Sequence, residues 1–272
     1  MRAIGFQQGL RGDLILSTVA ARAFKQAHPE WHLTLGLNQQ YADMAPLFAH
    51  SDFDDVHVYE GYDNWPTARD EAYLKRAGYD HVFDPMPKRA NEATWWQTEH
   101  QAQNACSIYR LPYPSDGHQC RLTKWFDVPD YRDYVAFNYV GAFYAGYPNA
   151  KSYSPQRARE IVQLIRDKGH KVIVIGHPKE PTIEGTERGP SAYFDAVKTL
   201  LGCRAFVGID SGFTWLASAY SHPTLACYSD AYYTKQYVGS IQPANPNARY
   251  LSAPNLNEVP LTDIDAALSQ LL

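Results

Sequence analysis

No CxxC pair, no long apolar run and no block of basic residues occurs in these 272 residues, and each absence removes a class of protein. The four cysteines, Cys106, Cys120, Cys203 and Cys227, form no regular framework, which excludes a disulfide scaffold. Cys203 and Cys227 flank apolar segments and read as small buried residues of a reduced protein. His81, His100 and His118 lack metal-site spacing and no HExxH occurs, so no structural or catalytic zinc is expected. The glycine-containing turn GLRGDL is not GxGxxG, and a nicotinamide or flavin assignment fails there. Met1 runs into Ala3-Ile4-Gly5-Phe6 with neither a basic region nor a long apolar segment, so neither a secretory signal nor a transmembrane helix is expected. A net charge of −4 with 20% charged residues describes a soluble, faintly acidic, cytoplasmic protein, although a local positive groove and a nucleic-acid substrate stay open. No repeat of solenoid length is present.

What is present centres on Cys203 to Tyr228, CRAFVGIDSGFTWLASAYSHPTLACY. Ala205 to Ile209 reads as a buried strand, Asp210-Ser211-Gly212 breaks it, and Trp215, Leu216, Ala219 and Tyr220 recur at helical intervals until His222-Pro223 stops them. A strand delivered directly into a helix places Asp210 and Ser211 at the carboxyl edge of a sheet, with N–H groups after Gly212 able to receive an anion. The same three residues also suit a plain cap and turn. Twenty tyrosines and six tryptophans suit either packing or sugar stacking.

Earlier in the chain, Ala3–Phe6 predicts a first strand and Leu14–Ala27 a helix, with Asp13 at or just inside its start. That carboxylate reads either as a helix cap or as a base at the lip of a cleft. Strands are expected at His32–Gly36, Asp55–Tyr59 and Tyr79–Asp84, with a short helix or turn at Tyr41–Phe48 and a helix at Arg69–Ala77. Trp95-Trp96 and the nearby His100 read as a helix lining a polar cleft or as one anchored by its tryptophans. Lys124–Asp133 is the expected domain boundary. Beyond it, strands are expected at Tyr134–Tyr139, Lys171–Ile175 and Thr224–Cys227, and helices at Pro155–Lys168, Pro190–Leu201 and Thr262–Leu272. His177–Gly189 reads as a polar loop and Asn245–Asn257 as an irregular connector. Strands alternating with helices define an α/β protein.

Three segments in order, GLRGDLILSTVAARAFKQAHPEWHLTL, AFNYVGAF with AKSYSPQRAREIVQLIRDKGHKVIVIG, and FVGIDSGFTWLASAYSHPTLACY, resemble the heptosyltransferase-like nucleotide-sugar glycosyltransferases, glycosyltransferase family 9. The resemblance implies a GT-B fold: two Rossmann-like domains facing across a cleft, with residues 1–130 binding acceptor and 131–272 binding a nucleotide-diphosphate sugar. It also implies that the terminal helix packs back on the first domain. The activity implied is an inverting hexosyl, pentosyl or heptosyl transfer to a hydroxyl acceptor. Against it stand a nucleotide-sugar epimerase or hydrolase and a noncatalytic nucleotide-sugar or glycan-binding protein.

By the same resemblance Asp13 is the catalytic base, and Lys151, Glu184, Asp210, Ser211, Gly212, Phe213, Thr214 and Trp215 meet the donor. Glu180 and Glu187 compete with Glu184 for the carboxylate of that loop. The family continues the Asp-Ser-Gly turn to a histidine, and Trp215 stands in its place, so one polar donor contact is missing or supplied differently. Gly9, Arg11, Gly12, Trp96 and His100 are the acceptor-side candidates. No cofactor and no metal are implied. The acceptor is a glycan, a glycolipid or modified nucleic acid, and peripheral association with a membrane stays open.

Overall fold

The structure, a computed structural model, describes residues 1–6, 10–59, 68–83, 102–103, 106, 111, 119–141, 150–231, 239 and 241–272. The chain divides into two compact units, Met1–Trp125 and Phe126–Leu272. The sequence placed this division five residues later.

In the first unit, β1 (Arg2–Phe6) lies inside a sheet and buries Ala3, Ile4 and Phe6. A strand covered on both faces needs a continuous apolar run, which is why this segment does not alternate. It leads into α1 (Arg11–Ala27), which ends where His28 donates its backbone N–H to Phe24 at 2.8 Å. Lys25 in the last turn clamps the return: its Nζ lies 2.8 Å from Asp54 and donates to the Trp31 carbonyl at 2.9 Å. Then come β2 (His32–Asn38), a 3₁₀ helix (Gln39–Phe48), β3 (Asp55–Tyr59), α2 (Ala68–Arg76) and β4 (His81–Phe83). The sheet is parallel, in the order β3-β2-β1-β4.

The second unit holds β5 (Tyr131–Phe137), α3 (Pro155–Asp167), β6 (Lys171–Val174), β7 (Glu187–Arg188) and α4 (Tyr193–Gly202). It continues with β8 (Cys203–Ile209), α5 (Gly212–Ala219), β9 (Thr224–Ser229), β10 (Ala248–Ala253) and α6 (Leu261–Leu271). All six strands are parallel, in the order β10-β9-β8-β5-β6-β7. Counted from β5 this is 3-2-1-4-5-6, the Rossmann order, and the first sheet repeats its opening 3-2-1-4. In each sheet the first strand has its successor on one side and its fourth on the other. The crevice at that reversal, β1/β4 in one unit and β5/β8 in the other, is where an open parallel sheet receives ligands.

Three expectations change. Asn245–Asn257 is no mere connector, because Ala248–Ala253 forms the edge strand β10 beside β9. Its polar residues reflect an edge position, where one side needs no cover. Part of the His177–Gly189 loop, Glu187–Arg188, pairs as the other edge strand. The apolar side of α6, expected against the first domain, joins the second unit's core through Ile264, Ala267 and Leu268. Lys168 reinforces that seat, with its Nζ 2.7 Å from both Asp265 and Ser269. All four cysteines are free and buried. Burial pushes their thiols up to about 11 at Cys106 and about 12 at the others, so they pack rather than react.

Phe6 ends β1, and its ring covers Gly36 of the adjacent strand; a Cβ at Gly36 would stand 2.1 Å from Phe6 Cε1. Gly36→Ala is expected to destabilise the first unit by about 1–3 kcal/mol in urea denaturation. Phe6→Leu in the same chain should recover part of that loss, giving a coupling that a simple loss of strand propensity would not show.

Candidate functional site

Each unit carries candidate residues at its own sheet's switch point. In the first, Leu10 caps α1 and Asp13 is the third residue of the helix, where its Oδ2 accepts the Leu10 N–H at 2.8 Å. The carboxylate therefore closes the turn and meets the positive end of the helix while staying partly exposed. Arg11 forks onto Asp43, with two bonds of 2.8 Å, and its guanidinium lies 5.6 Å from the Tyr41 ring centre. Asp43 is a partner that helical spacing did not disclose, since it comes from the 3₁₀ segment after β2. Gly12 is buried in the first helical turn. Gly9, Trp96 and His100 lie outside the described residues.

In the second unit, Lys151 Nζ sits 2.6 Å from Asp210 Oδ2, with both side chains largely covered, 19% and 14% exposed. Asp210 follows the last residue of β8, and Lys151 returns from the loop after β5, so the pair spans the β5/β8 crevice. Gly141 permits this approach, because a Cβ there would stand 2.5 Å from the Lys151 carbonyl and 3.1 Å from Ile209. Ser152 then stitches the loop by bonding the Gly141 N–H and carbonyl at 3.1 and 3.2 Å.

Ser211 caps α5 in extended conformation, and its carbonyl takes the Thr214 N–H at 3.1 Å. Its hydroxyl is buried without a hydrogen-bond partner. Thr214 is buried and its hydroxyl bonds the Ile209 carbonyl, closing the strand-to-helix turn. Phe213 packs its ring 5.3 Å from that of Tyr193. Trp215 is 5% exposed and belongs to the interior. The first turn of α5 carries no acidic residue, whereas that of α1 holds Asp13. One helix start is thus met by its own carboxylate, whereas the first turn of the other carries none.

Of the three loop glutamates, Glu184 is exposed and Glu187 accepts a bond from the Tyr134 hydroxyl at 2.6 Å. Glu180 differs: it is 6% exposed, beyond the end of β6, with Oε1 accepting the His177 N–H at 2.7 Å. Gly176 makes room for it, since a Cβ there would stand 2.3 Å from Glu180 Oε2. Burial pushes its carboxyl up to about 7, against the His177 N–H and Arg188, which pull it down. Glu184, the one preferred from the sequence, is thus exposed, and the buried carboxylate of the three is Glu180. The signal was its place as the nearest of the three to the apolar strand KVIVIG.

Among the described residues no group of three or more His, Cys, Asp or Glu is arranged to hold a metal, and no helix is long and apolar enough to cross a membrane. Comparison with family models and with curated proteins gives no match. Solved structures do match over the whole chain. E. coli heptosyltransferase WaaC with ADP shares 16% identity at a TM-score of 0.70, covering 100% of both chains. E. coli ADP-heptose LPS heptosyltransferase II shares 14% at 0.71, covering 100% of this chain and 98% of that one. A family 9 glycosyltransferase from Veillonella parvula shares 14% at 0.68, covering 100% and 90%. The chain therefore has the GT-B glycosyltransferase fold and is similar in structure to the heptosyltransferases.

A Glu180 carboxyl near 7, above its ordinary 4.5, retains a proton that the unfolded chain has already released. Its contribution to stability falls as pH rises from about 4.5 to about 7, and is level above that. Glu180→Gln removes this dependence. The melting temperature of E180Q minus that of the unaltered protein should therefore increase between pH 5 and pH 8; a constant difference would contradict a raised carboxyl.

Proposed function

We propose that this protein is an inverting glycosyltransferase that moves a sugar from a nucleotide-diphosphate sugar to an acceptor hydroxyl. The observation that carries the reading is the covered Lys151–Asp210 pair at the β5/β8 switch point, beside a helix start without its own acid. A departing diphosphate needs positive charge held ready in a place from which water is largely displaced. Lys151 has three ammonium donors, so one can stay with Asp210 while others meet phosphate oxygens. The N–H groups of Gly212 and Phe213 lie in the first turn of α5 and support the same charge. Buried Glu180 is the carboxylate that this unit offers to a hydroxyl of the nucleoside or sugar.

In the first unit Asp13 takes the proton. The acceptor oxygen attacks the anomeric carbon as the bond from that carbon to the diphosphate breaks. The electron pair leaves with the phosphate, and the acceptor proton passes to a carboxylate oxygen of Asp13. A single displacement of this kind inverts the anomeric centre. Capping does not bar the role, because a carboxylate has about four acceptor positions and the Leu10 N–H uses one. The similar structures include a heptosyltransferase with ADP-2-deoxy-2-fluoro heptose. ADP-linked sugars accordingly head a donor screen that also includes UDP-, GDP- and TDP-sugars. The acceptor arms are lipopolysaccharide core, other glycans, protein and modified DNA.

An acceptor-dependent glycoside detected by mass spectrometry supports transfer. Free sugar without acceptor would instead mark a hydrolase, an altered sugar still on its nucleotide an epimerase, and neither product a binding protein. Lys151→Ala is expected to weaken the best nucleotide sugar by about 10–100-fold in titration, the range for a bond to a charged group. Unchanged affinity would remove Lys151 from the donor site. Asp13→Asn preserves shape and much of the capping ability. It should remain folded and bind donor yet lose transfer by about 100-fold or more. Near-original turnover by folded D13N at saturating substrates would leave Asp13 as a cap alone.

A further inference from the structure

Glu180 owes its place to a loop that is held at several points. Its N–H bonds the His177 carbonyl at 3.0 Å, closing a turn beyond the end of β6, and its own carbonyl accepts a bond from Arg188 Nη2. One carboxyl oxygen, Oε1, takes the His177 N–H at 2.7 Å. The other, Oε2, is buried with no hydrogen-bond partner, and Arg188 Nη1 stands 3.9 Å away from it. An unengaged buried oxygen is costly to the fold, and this one follows the carboxyl end of a parallel strand, the edge at which such sheets meet their ligands. The next peptide is fixed from a different loop: the Pro181 carbonyl accepts the hydroxyl of Tyr139.

Tyr139 lies two residues past the end of β5 and is 1% exposed, with its ring stacked on that of Phe137 at 5.8 Å between centres. Its two polar ends serve different loops. The backbone carbonyl accepts the Tyr153 N–H at 3.0 Å, two residues beyond Lys151, while the side-chain hydroxyl reaches Pro181, one residue beyond Glu180. The group proposed for the diphosphate and the group proposed for a hydroxyl of the nucleoside or sugar are therefore joined through one buried residue. We infer that Tyr139 is a positioning residue for donor binding: its hydroxyl fixes the peptide after Glu180, so that Oε2 stands in place before a nucleotide arrives. A contact group misplaced by about 1 Å can cost about 100-fold in effect, which is what a phenol seated in the core guards against. Tyr139 touches neither sugar nor nucleotide. This inference rests on the donor reading given above.

Tyr139→Phe cuts the bond to Pro181 and leaves the backbone bond to Tyr153, so the two parts of the donor should respond differently. Titration would use inorganic pyrophosphate and whichever of ADP, GDP, UDP and TDP the unaltered protein binds best. Y139F should bind the nucleoside diphosphate about 3–30-fold more weakly, the worth of about one hydrogen bond, yet bind pyrophosphate within about twofold of the unaltered protein. A hydroxyl that only supports the fold would weaken both alike. In a Glu180→Ala background nothing is left to position, and the Y139F loss should shrink to less than about twofold. Each comparison decides by itself, should pyrophosphate bind too weakly to titrate or E180A fail to fold. Equal affinity of Y139F and the unaltered protein would overturn the role of Tyr139 while leaving the Lys151 site standing. Equal losses for both ligands, an undiminished loss in the E180A background, or a Y139F chain that does not fold would do the same. Unaltered affinity of E180A itself would remove Glu180 from the donor site, and this inference with it. Failure of all four nucleoside diphosphates to bind the unaltered protein would overturn the donor reading as a whole.

Discussion

A carboxylate and an ammonium held 2.6 Å apart under cover, Asp210 and Lys151, set the terms for the second unit. Desolvating two charges costs several kcal/mol per ion even after relaxation, and an apolar pair of the same size would stabilise the fold as well or better. What the pair offers the proposed transfer is charge already in place and largely covered. The surrounding sequence accommodates them. Gly141 lets the Lys151 backbone come close to Ile209, Ser152 ties the returning loop, and Thr214 fastens the turn after Asp210.

The two helix starts treat their positive ends in opposite ways. α1 brings Asp13 and uses it on the Leu10 N–H, so a carboxylate is held at a fixed position with acceptor capacity remaining. α5 brings no acid, leaves the Ser211 hydroxyl unengaged and opens beside Lys151. The proposed transfer asks for a proton acceptor and for a place that holds departing negative charge, and these two helix starts are the groups proposed for them. Both helix starts belong to sheets that reverse their strand order at their first strand.

Much of the strand and helix order could be read from the chain because its local signals agree with its tertiary place. KVIVIG and AFVGI are buried on both faces and therefore continuous, and Ser154-Pro155 and Gly169 bracket α3 with a cap, a first-turn proline and a glycine at φ 86°. The failures fall where local composition and position part company. ARYLSA is an edge strand whose polar residues resemble a connector, and Glu187–Arg188 is a strand only because β6 lies beside it. For α6 the apolar stripe was legible, but a stripe does not name its partner; Ile264 and Leu268 meet the second unit's core.

The site divides along the same line. By itself the sequence determined that Asp13 begins a helix and that Asp210, Ser211 and Gly212 stand between a strand and a helix, because caps, breaks and periodicity are properties of neighbouring residues. Only the tertiary structure decided that Lys151 pairs with Asp210, that Arg11 forks onto Asp43, and that Glu180 rather than Glu184 is the buried carboxylate. Those are relations between residues brought together by strand order and register. Burial, which gives a charge or an unbonded hydroxyl its energetic consequence, comes into being only when the sheet and its covering helices close around it.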